Sequence, residues 1–499
     1  MKKASLFIIG LLLAGVSFAQ EGFFKVYVDN EMSFHPSAAV EAADGGFITA
    51  VYDDNGKGEL VKMSADGAIV NRVAIDLAAH PSFNIATIDK IYRDHTGLDA
   101  YLAVGFSMSW EREIARPFVI RFDEDLNISF RKVIKLPDEY TCYISKSWLL
   151  TRDGNFLCAS TVPENKMFYF EVTPEGEVVK VASESIMDPY LAIGTLFEFP
   201  ENGQYGHYRV NRIPGGGHPS FFNLDENLHS ELVRQYEFIP VDTINNYVYS
   251  LHIEPIAHAT AVLLDENTFL FSDKTREDKL LPNQVGWEDW STLLFKTDLE
   301  GDIQSFHVVG SWNDTIETPA ALQSFDIVRN ATETAIYSCS NRWIGASYDV
   351  SSLSVTKMEE SLDEVWYKTF SHPNYALQSS YVLATSDGGC LVVGEAIRSG
   401  RSHLFALKLN SEGTVGTDEI IVRDGMIFYP NPVKDRLHLK CPTASQPQSV
   451  QLYDMQGRLV RSQGKGLESI NMEGLPAGTY TMHVMLEGGK VYSDKVVKE

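Results

Sequence analysis

DGGFITAVYDDNGKGELVKMSADG, residues 44–67, contains the repeated unit from which the fold of this chain can be predicted. Acidic residues followed by glycine stand at both ends, and apolar residues fill much of the sequence between them. Asp is typical of tight turns because its side chain bonds its own backbone, and Gly because it adopts positive φ. The stretch therefore predicts antiparallel strands joined by short hairpins.

The unit recurs along most of the chain. Clear copies lie at residues 153–176 and 387–413, and weaker copies begin near residues 99, 204, 266 and 334. The period is about 55 residues, which has room for four strands in each unit. Units of this kind predict an all-β fold, a β-propeller of about seven blades. The unit near residue 204 is the least regular, which leaves six or eight blades open.

The residues before the first unit predict how such a ring closes. FFKVYV, residues 23–28, alternates like the last strand of a unit, whereas the seventh unit has only a weak final strand after Gly413. We expect the N-terminal strand to complete the seventh blade. That pairing would remove an exposed sheet edge.

The C-terminal residues have a different pattern. FYPNPVKDRLHLK (428–440), VQLYDMQGRLV (450–460) and PAGTYTMHVML (476–486) combine proline and glycine turns with alternating apolar residues. This pattern predicts a small Ig-like antiparallel β-sandwich. Residues 424–499 carry nine Lys and Arg against eight Asp and Glu, whereas residues 20–423 carry 31 against 59. The change in charge indicates a domain boundary, and we predict a propeller over 20–418, a linker over 419–425 and the sandwich over 426–499.

The tail resembles the type A C-terminal sorting domain of proteins that Bacteroidetes export by the type IX (Por) secretion system. The matching positions are Asn431, Pro432, Leu452, Tyr453, Gly457, Pro476, Gly478 and Tyr480. The resemblance implies that the outer-membrane export machinery is a partner. It also implies a protein that is secreted or attached to the outer cell surface after periplasmic transit. An ordinary Ig-like binding module is the alternative interpretation.

The N-terminus and the overall charge agree with export. Lys2 and Lys3 precede an apolar run from Leu6 to Val16, and Ser17-Phe18-Ala19 resembles a cleavage site, so residues 1–19 are predicted to be a signal peptide. No other apolar run approaches membrane-spanning length, so no transmembrane anchor is expected in the mature chain. The formal net charge of −25 argues against nucleic-acid binding, because an acidic surface repels phosphates.

No catalytic motif of the metalloprotease, nucleophile-elbow or phosphate-loop type occurs in the sequence. The candidate ligand site lies in two long loops, where tryptophan beside carboxylates is typical of sugar stacking. Its residues are Trp287, Glu288, Asp289, Trp290, Arg342 and Trp343. Packing of these aromatic residues over a blade edge is the alternative.

Cofactors are not predicted, and calcium has weak support. Asp123-Glu124-Asp125-Leu126-Asn127 spaces three oxygen ligands like a calcium loop, but it lacks the central glycine and the distal glutamate. A hairpin turn explains the same residues.

We therefore expect an exported binding or scaffold module for a glycan, a peptide or a protein partner. A hydrolase or lyase that cleaves polysaccharide or peptide, with carboxylates in the propeller funnel, is the alternative, and a structural envelope protein is a third.

Overall fold

The computed structural model describes most of the chain as β-structure. The described residues are 22–28, 33–77, 85–94, 100–109, 114–136, 143–162, 165–186, 194–213, 216–236, 239–244, 247–254, 260–277, 289–309, 315–320, 322–329, 333–344, 351–415, 422–423, 426–429, 433–440, 447–454, 458–464, 467, 469–486 and 491–498. Within these ranges every regular element is a strand, and the strands form antiparallel sheets of four to six members. The prediction of an all-β chain is confirmed.

Strand β1 (Phe23–Tyr27) precedes three four-stranded sheets. Sheet 1 contains β2 (Phe34–Glu41), β3 (Phe47–Asp53), β4 (Gly58–Met63) and β5 (Ile69–Ala74). Sheet 2 contains β6 (Ile85–Arg93), β7 (Ala100–Ser109), β8 (Ile114–Asp123) and β9 (Ile128–Val133). Sheet 3 contains β10 (Tyr143–Leu150), β11 (Phe156–Val162), β12 (Lys166–Val172) and β13 (Val178–Ser185).

Four further sheets follow along the chain up to Leu409. Sheet 4 contains β14 (Gly194–Glu198), β15 (Tyr205–Ile213), β16 (Gly216–Leu224) and β17 (Ser230–Gln235). Sheet 5 contains β18 (Ile239–Ile244), β19 (Tyr247–Glu254), β20 (Thr260–Asp265), β21 (Thr268–Glu277), β22 (Asp289–Thr297) and β23 (Ile303–Val309). Sheet 6 contains β24 (Thr315–Pro319), β25 (Phe325–Arg329), β26 (Thr334–Ile344), β27 (Ser351–Glu359) and β28 (Glu364–Phe370). Sheet 7 contains β29 (Ala376–Ala384), β30 (Cys390–Arg398) and β31 (Arg401–Leu409), together with β1.

Burial changes from strand to strand within a sheet. In sheet 1, β3 and β4 are almost wholly buried, whereas β5 alternates between exposed and half-buried residues. Two other sheets show the same pattern: β12, a middle strand of sheet 3, is buried, and β17, the fourth strand of sheet 4, is largely exposed. The middle strands are therefore covered on both faces by neighbouring sheets, and the fourth strand lies at the rim.

The seven sheets form a closed ring. The innermost strands touch in the cyclic order β2, β6, β10, β14, β20, β25, β29 and back to β2. Each junction between neighbouring sheets has its own hydrophobic cluster, including the junction between sheets 7 and 1. Apolar burial between sheets therefore stabilises the ring all the way round.

Strand β1 closes the ring as the sequence predicts. It pairs antiparallel with β31 from Phe23 opposite Lys408 to Tyr27 opposite Leu404, and so becomes the outer strand of sheet 7. Phe23 is buried, and its ring lies 6.3 Å from that of Phe47 in sheet 1. The Tyr27 hydroxyl donates a hydrogen bond of 2.6 Å to the carbonyl of Gly67. The N-terminal strand thus joins the last sheet to the first.

The predicted Asp-Gly hairpins are present at the positions that the repeat indicates. Gly45 and Gly67 adopt φ of 80° and 76°, the left-handed conformation that favours glycine. Asp44 Oδ1 accepts a hydrogen bond of 2.9 Å from the Gly46 amide, as expected for an acidic residue that stabilises its own turn.

The tail folds as two four-stranded antiparallel sheets. Its strands are β32 (Val422–Arg423), β33 (Met426–Tyr429), β34 (Arg436–Lys440), β35 (Pro447–Tyr453), β36 (Leu459–Gln463), β37 (Ser469–Asn471), β38 (Gly478–Leu486) and β39 (Val491–Lys498). One hydrophobic cluster, with Leu437, Leu452 and Met482 at its centre, packs between them. Strand β32 falls within the segment predicted as linker and pairs with β33.

Candidate ligand site in the central channel

The ring encloses a channel of about 580 Å³. All seven sheets contribute to its wall, mainly through their inner strands. Hydroxyl, aliphatic and aromatic side chains line it, and its charged residues are Asp89, Lys90 and Asp326. Its size lies in the range of roughly 300–1,000 Å³ that is typical of small-ligand pockets.

Bulges in the inner strands determine which side chains face the channel. The register between β6 and β7 shifts between Ile88 and Lys90, with Asp89 as the extra residue. Similar shifts occur between Pro36 and Ala38 in β2, and at the middle of β29. Successive residues of a regular strand point to opposite faces, and a bulge re-aims them. Asp89 and Lys90 can therefore both line the channel.

Lys90 reaches across the channel from sheet 2 to sheet 6. Its Nζ donates a hydrogen bond of 2.8 Å to Oε1 of Gln323 and lies 5.0 Å from the centre of the Tyr381 ring. Burial lowers the pKa of the Lys90 ammonium to about 8, although the carboxylates of Asp326 and Asp89 oppose that shift. The side chain thus remains largely protonated at neutral pH.

Gln323 is held so that its amide oxygen faces the lysine. Its Nε2 donates 3.0 Å to the carbonyl of Val382, and its backbone pairs with Tyr381 as an isolated bridge. The amide of Leu322 also donates to the Ser380 carbonyl. The segment before β25 is therefore hydrogen-bonded to β29, and these bonds hold the Gln323 amide oxygen in place as the acceptor for Lys90.

Asp326 provides a second charged group, half-buried like Lys90 in the channel wall. Its Oδ1 and Oδ2 accept backbone hydrogen bonds from Ile327 (2.9 Å) and Ala384 (2.8 Å). Burial raises the pKa of the Asp326 carboxyl to about 6, while those two amides and the charge of Lys90 act in the opposite direction. This carboxyl and the Lys90 ammonium therefore titrate on either side of neutral pH.

Asp89 and Trp148 link sheets 2 and 3 beside the lysine. Trp148 Nε1 donates a hydrogen bond of 3.0 Å to Asp89 Oδ2, and the Tyr92 hydroxyl donates 3.3 Å to the Trp148 carbonyl. The arrangement presents an indole, a phenol ring and a carboxylate on one side of the channel. It can hold a polar ligand by hydrogen bonds and pack against its apolar parts.

No channel residue is among the site residues predicted from sequence. Asp89 and Lys90 interrupt an otherwise apolar strand, Ile88-Asp89-Lys90-Ile91, and this interruption is the one local signal. Residues 90 and 323 meet only because the ring closes, so their pairing has no signature in nearby sequence.

The residues of the predicted loop site are only partly described. Trp287 and Glu288 lie outside the described residues. Asp289 and Trp290 begin β22, and Trp343 lies near the end of β26. Arg342 is 5% exposed, and a hydrogen bond of 2.7 Å between Thr292 and Ser340 hydroxyls joins the two strands. The two loops therefore leave neighbouring strands, and a ligand site there stays a prediction.

The suggested calcium loop is a hairpin turn in this structure. Asp123 Oδ1 accepts hydrogen bonds from the amides of Asp125 (3.0 Å) and Asn127 (2.8 Å). Its Oδ2 accepts 2.9 Å from the Asn127 side chain. Within the described ranges, no three or more His, Cys, Asp or Glu side chains are grouped to hold a metal ion.

Several sorting-motif positions contribute to the core of the tail. Leu452 is buried, and the Tyr480 hydroxyl donates a hydrogen bond of 2.7 Å to the carbonyl of Pro476. Tyr453 lies with its ring 4.9 Å from that of His483. Gly478 begins β38. Asn431, Pro432 and Gly457 lie outside the described residues.

Comparison with known proteins identifies the tail. Residues 427–499 match the secretion system C-terminal sorting domain family. The prediction of a sorting domain is confirmed, and such a domain implies export by the type IX secretion system to the cell surface or extracellular space. No curated protein matches the chain. In the part of the chain that the structure describes, no helix is long and apolar enough to cross a membrane.

Solved structures resemble the chain weakly. A protein of unknown function from Bacteroides caccae is 11% identical over 68% of this chain and 93% of that one, with a TM-score of 0.35. The β-propeller domain of the trilobed protease from Pyrococcus furiosus is 11% identical over 78% and 94%, with a TM-score of 0.39. Extracellular domains 1–2 of Drosophila semaphorin 1b are 9% identical over 79% and 87%, with a TM-score of 0.44.

The raised pKa of Asp326 predicts a pH-dependent stability difference. Between about pH 4 and pH 6 the folded protein retains a proton that the unfolded chain has released, so raising the pH through this range lowers the free energy of unfolding. Asp326→Asn cannot titrate. The free energy of unfolding of this variant relative to wild type should therefore rise across that window, by up to about 3 kcal/mol.

Denaturation midpoints at several pH values would measure this difference. Asp76→Asn, at an exposed position, is the matched control. A difference between Asp326→Asn and wild type that does not change with pH would contradict the assigned burial of the Asp326 carboxyl.

Proposed function

We propose that the chain is an exported seven-bladed β-propeller that binds a small glycan or peptide ligand in its central channel. The C-terminal sandwich, of Ig-like type, would direct the protein through the type IX machinery. In this proposal residues 1–19 are the signal peptide, residues 20–418 form the propeller, and a linker over 419–425 leads to the sandwich of 426–499. The route passes through the periplasm and ends at the outer cell surface or in the medium.

The cyclic contacts of seven inner strands support the blade number. Each of the first four sheets is a meander of four strands. Sheets 5 and 6 have six and five strands, and their inner strands are divided into segments. Seven hydrophobic clusters at seven junctions agree with the same number. Closure by β1 within sheet 7 gives every blade of the ring at least four strands.

The observation that carries the binding proposal is the Lys90 ammonium in the channel. An ammonium has three N–H donors, and in the described part of the chain Gln323 accepts one of them. A buried charge with unused hydrogen-bonding capacity is costly unless solvent or a ligand completes its shell. A channel of about 580 Å³ beside this group has room for such a ligand.

The tryptophan loops supply a second contact surface in this proposal. Trp287, Glu288, Asp289, Trp290, Arg342 and Trp343 would receive the part of an extended ligand that leaves the channel. Long loops on a rigid scaffold frequently have this role. Their neighbouring strands, β22 and β26, are joined through Thr292 and Ser340.

A hydrolase or lyase is the second candidate, and one observation favours it. Two carboxyl groups, Asp89 and Asp326, line the same channel, and burial raises the pKa of Asp326 to about 6. Two carboxyl groups in one site, one of them with a raised pKa, are the kind of pair used for acid–base hydrolysis. We favour binding, because the Lys90 ammonium in the channel keeps N–H donors that no acceptor in the described part of the chain satisfies.

Incubation of the mature chain, residues 20–499, with a glycan and peptide panel tests the choice. We expect binding with unchanged ligand masses, and at least about tenfold weaker binding by Lys90→Gln, because a charged hydrogen bond contributes roughly 1.5–3 kcal/mol. Mass spectrometry of bound and unbound ligand gives both readouts. Trp287→Ala/Trp343→Ala tests the loops in the same assay.

The outcomes separate the candidates. Shorter products whose formation needs Asp326 would replace the binding proposal with the hydrolase or lyase. Binding that Lys90→Gln leaves intact but the double tryptophan variant abolishes would move the site to the loops. A folded protein that binds no ligand in the panel would contradict the proposal.

Deletion of residues 424–499 tests the export route. We expect the truncated protein to accumulate in the periplasm, because the sorting domain is what the export machinery recognises. Cell fractionation and surface proteolysis measure its location, with full-length chain as the control. Normal delivery of the truncated chain to the surface would contradict a sorting role for the tail.

A further inference from the structure

We propose that the channel ligand is a zwitterion, an amino acid or a short peptide with both termini unblocked. The ligand carboxylate would bind Lys90 and its ammonium would bind Asp326 and Asp89. This inference rests on the proposed binding function and narrows its ligand class. It follows from the signs, positions and remaining hydrogen-bonding capacity of the channel charges.

The channel wall carries both signs of charge. Lys90 and Asp89 come from sheet 2, and Asp326 comes from sheet 6 on the other side. The two carboxylates are near enough to raise the pKa of Lys90 against the effect of burial. One ligand that occupies the space between these walls can therefore contact groups of opposite charge.

Lys90 and Asp326 each have hydrogen-bonding capacity left for a ligand. Lys90 donates to Gln323, and in the described structure its two other N–H groups have no acceptor. Each oxygen of Asp326 accepts one backbone amide, and a carboxylate oxygen has two lone pairs. A ligand carboxylate can thus accept from Lys90 while a ligand ammonium donates to Asp326.

Charge balance distinguishes a zwitterion from other small ligands. A ligand with only negative charge would approach two carboxylates and one ammonium, a net repulsive set. A ligand with only positive charge would offer no acceptor to the remaining N–H groups of Lys90. A neutral sugar could hydrogen-bond to these groups but would bring no opposite charge to either. A zwitterion brings a carboxylate to the Lys90 ammonium and an ammonium to the channel carboxylates.

The remaining wall suits amino-acid side chains. Aliphatic residues from five sheets and from the segment before β25 line the same channel, namely Ile91, Leu149, Leu196, Val262, Leu383 and Leu322. The volume of about 580 Å³ has room for a few residues and not for a folded domain. An apolar side chain can therefore be buried while the peptide ends bind the charged groups.

The same groups predict how affinity changes with pH. Asp326 is faced by Lys90 from β6, Arg329 on its own strand, Tyr381 from β29 and Cys390 from β30. Protonation of its carboxyl, with a pKa of about 6, removes the partner of the ligand ammonium. Affinity should therefore fall as the pH is lowered through 6, and Asp326→Asn should remove that fall. Above pH 8 Lys90, faced by Asp89 and Asp326, loses its proton and affinity falls again.

Isothermal titration calorimetry of the mature chain with leucine, dileucine and trileucine tests the inference. Each peptide is compared with its N-acetylated form, its C-terminal amide and the form blocked at both ends. We expect the unblocked ligands to bind, and either block to weaken binding by about 10- to 100-fold, since each removes one charged hydrogen-bonding partner.

Variants assign each end to its residue. Lys90→Gln should bind the unblocked peptide and its amide equally, because the group that selects the carboxylate is gone. Asp326→Asn should reduce the preference for the unblocked over the N-acetylated peptide, because Asp89 alone remains to bind the ligand ammonium. Lys132→Gln, on the rim strand β9, is the control and should bind like wild type. Circular dichroism establishes that each variant is folded.

Three results would overturn the inference. Blocked peptides that bind as tightly as unblocked ones would show that the end charges are not recognised. A neutral glycan that binds in the channel, when no peptide does, would overturn the zwitterion but leave the proposed binding function intact. A wild-type protein that binds neither peptides nor glycans would overturn both.

Discussion

The pairing of β1 with β31 is the interaction on which the rest of the ring depends. Without it, β31 would be an unpaired edge and sheet 7 would have three strands. Closure also places Phe23 against Phe47, so that sheets 7 and 1 share a hydrophobic cluster. The pairing covers the edge of β31, and uncovered strand edges are where chains pair with the wrong partner. Closure thus determines both stability and the shape of the channel.

The junction closed by β1 uses a contact found elsewhere in the ring. Tyr27 on the outer strand of sheet 7 donates to Gly67 in the last hairpin of sheet 1. The Tyr236 hydroxyl beside β17 donates 2.6 Å to the carbonyl of Gly301 in sheet 5, and Trp366 Nε1 on β28 donates 3.1 Å to that of Ser411. In each case an aromatic side chain on or beside the outer strand of one sheet donates a hydrogen bond to a turn of the next sheet. The first and last sheets meet as ordinary neighbours do.

Local sequence predicts the parts of this fold that local chemistry determines. Asp44, Gly45 and Gly67 occupy turns because acidic side chains and positive φ stabilise them within a few residues. Alternation in residues 23–28 was sufficient to predict a strand and its place in sheet 7. In the tail, the sorting motif was recognisable because its residues recur at fixed spacing in the family.

The channel site could not be predicted in this way. Lys90 and Gln323 are 233 residues apart, and only the curvature of the ring brings them within 2.8 Å. Asp89 faces the channel because a bulge displaces the register of β6, and the sequence does not mark where that bulge falls. The loop prediction relied on residue type alone, because tryptophan beside carboxylates is typical of sugar sites. Composition can suggest a ligand class, but where the channel charges lie relative to one another is determined by closure of the ring.

Hydrogen exchange of the closing strand tests the central claim most directly. Mass spectrometry would follow the backbone amides of residues 22–28 and 401–409 in the mature chain, with residues 390–398 as the internal standard. If β1 closes the ring, the amides of β1 that bond to β31 exchange slowly, at rates comparable to those of β30, because they open only when the sheet opens. Rapid exchange throughout residues 22–28 while β30 stays protected would contradict closure, and with it the account of the channel.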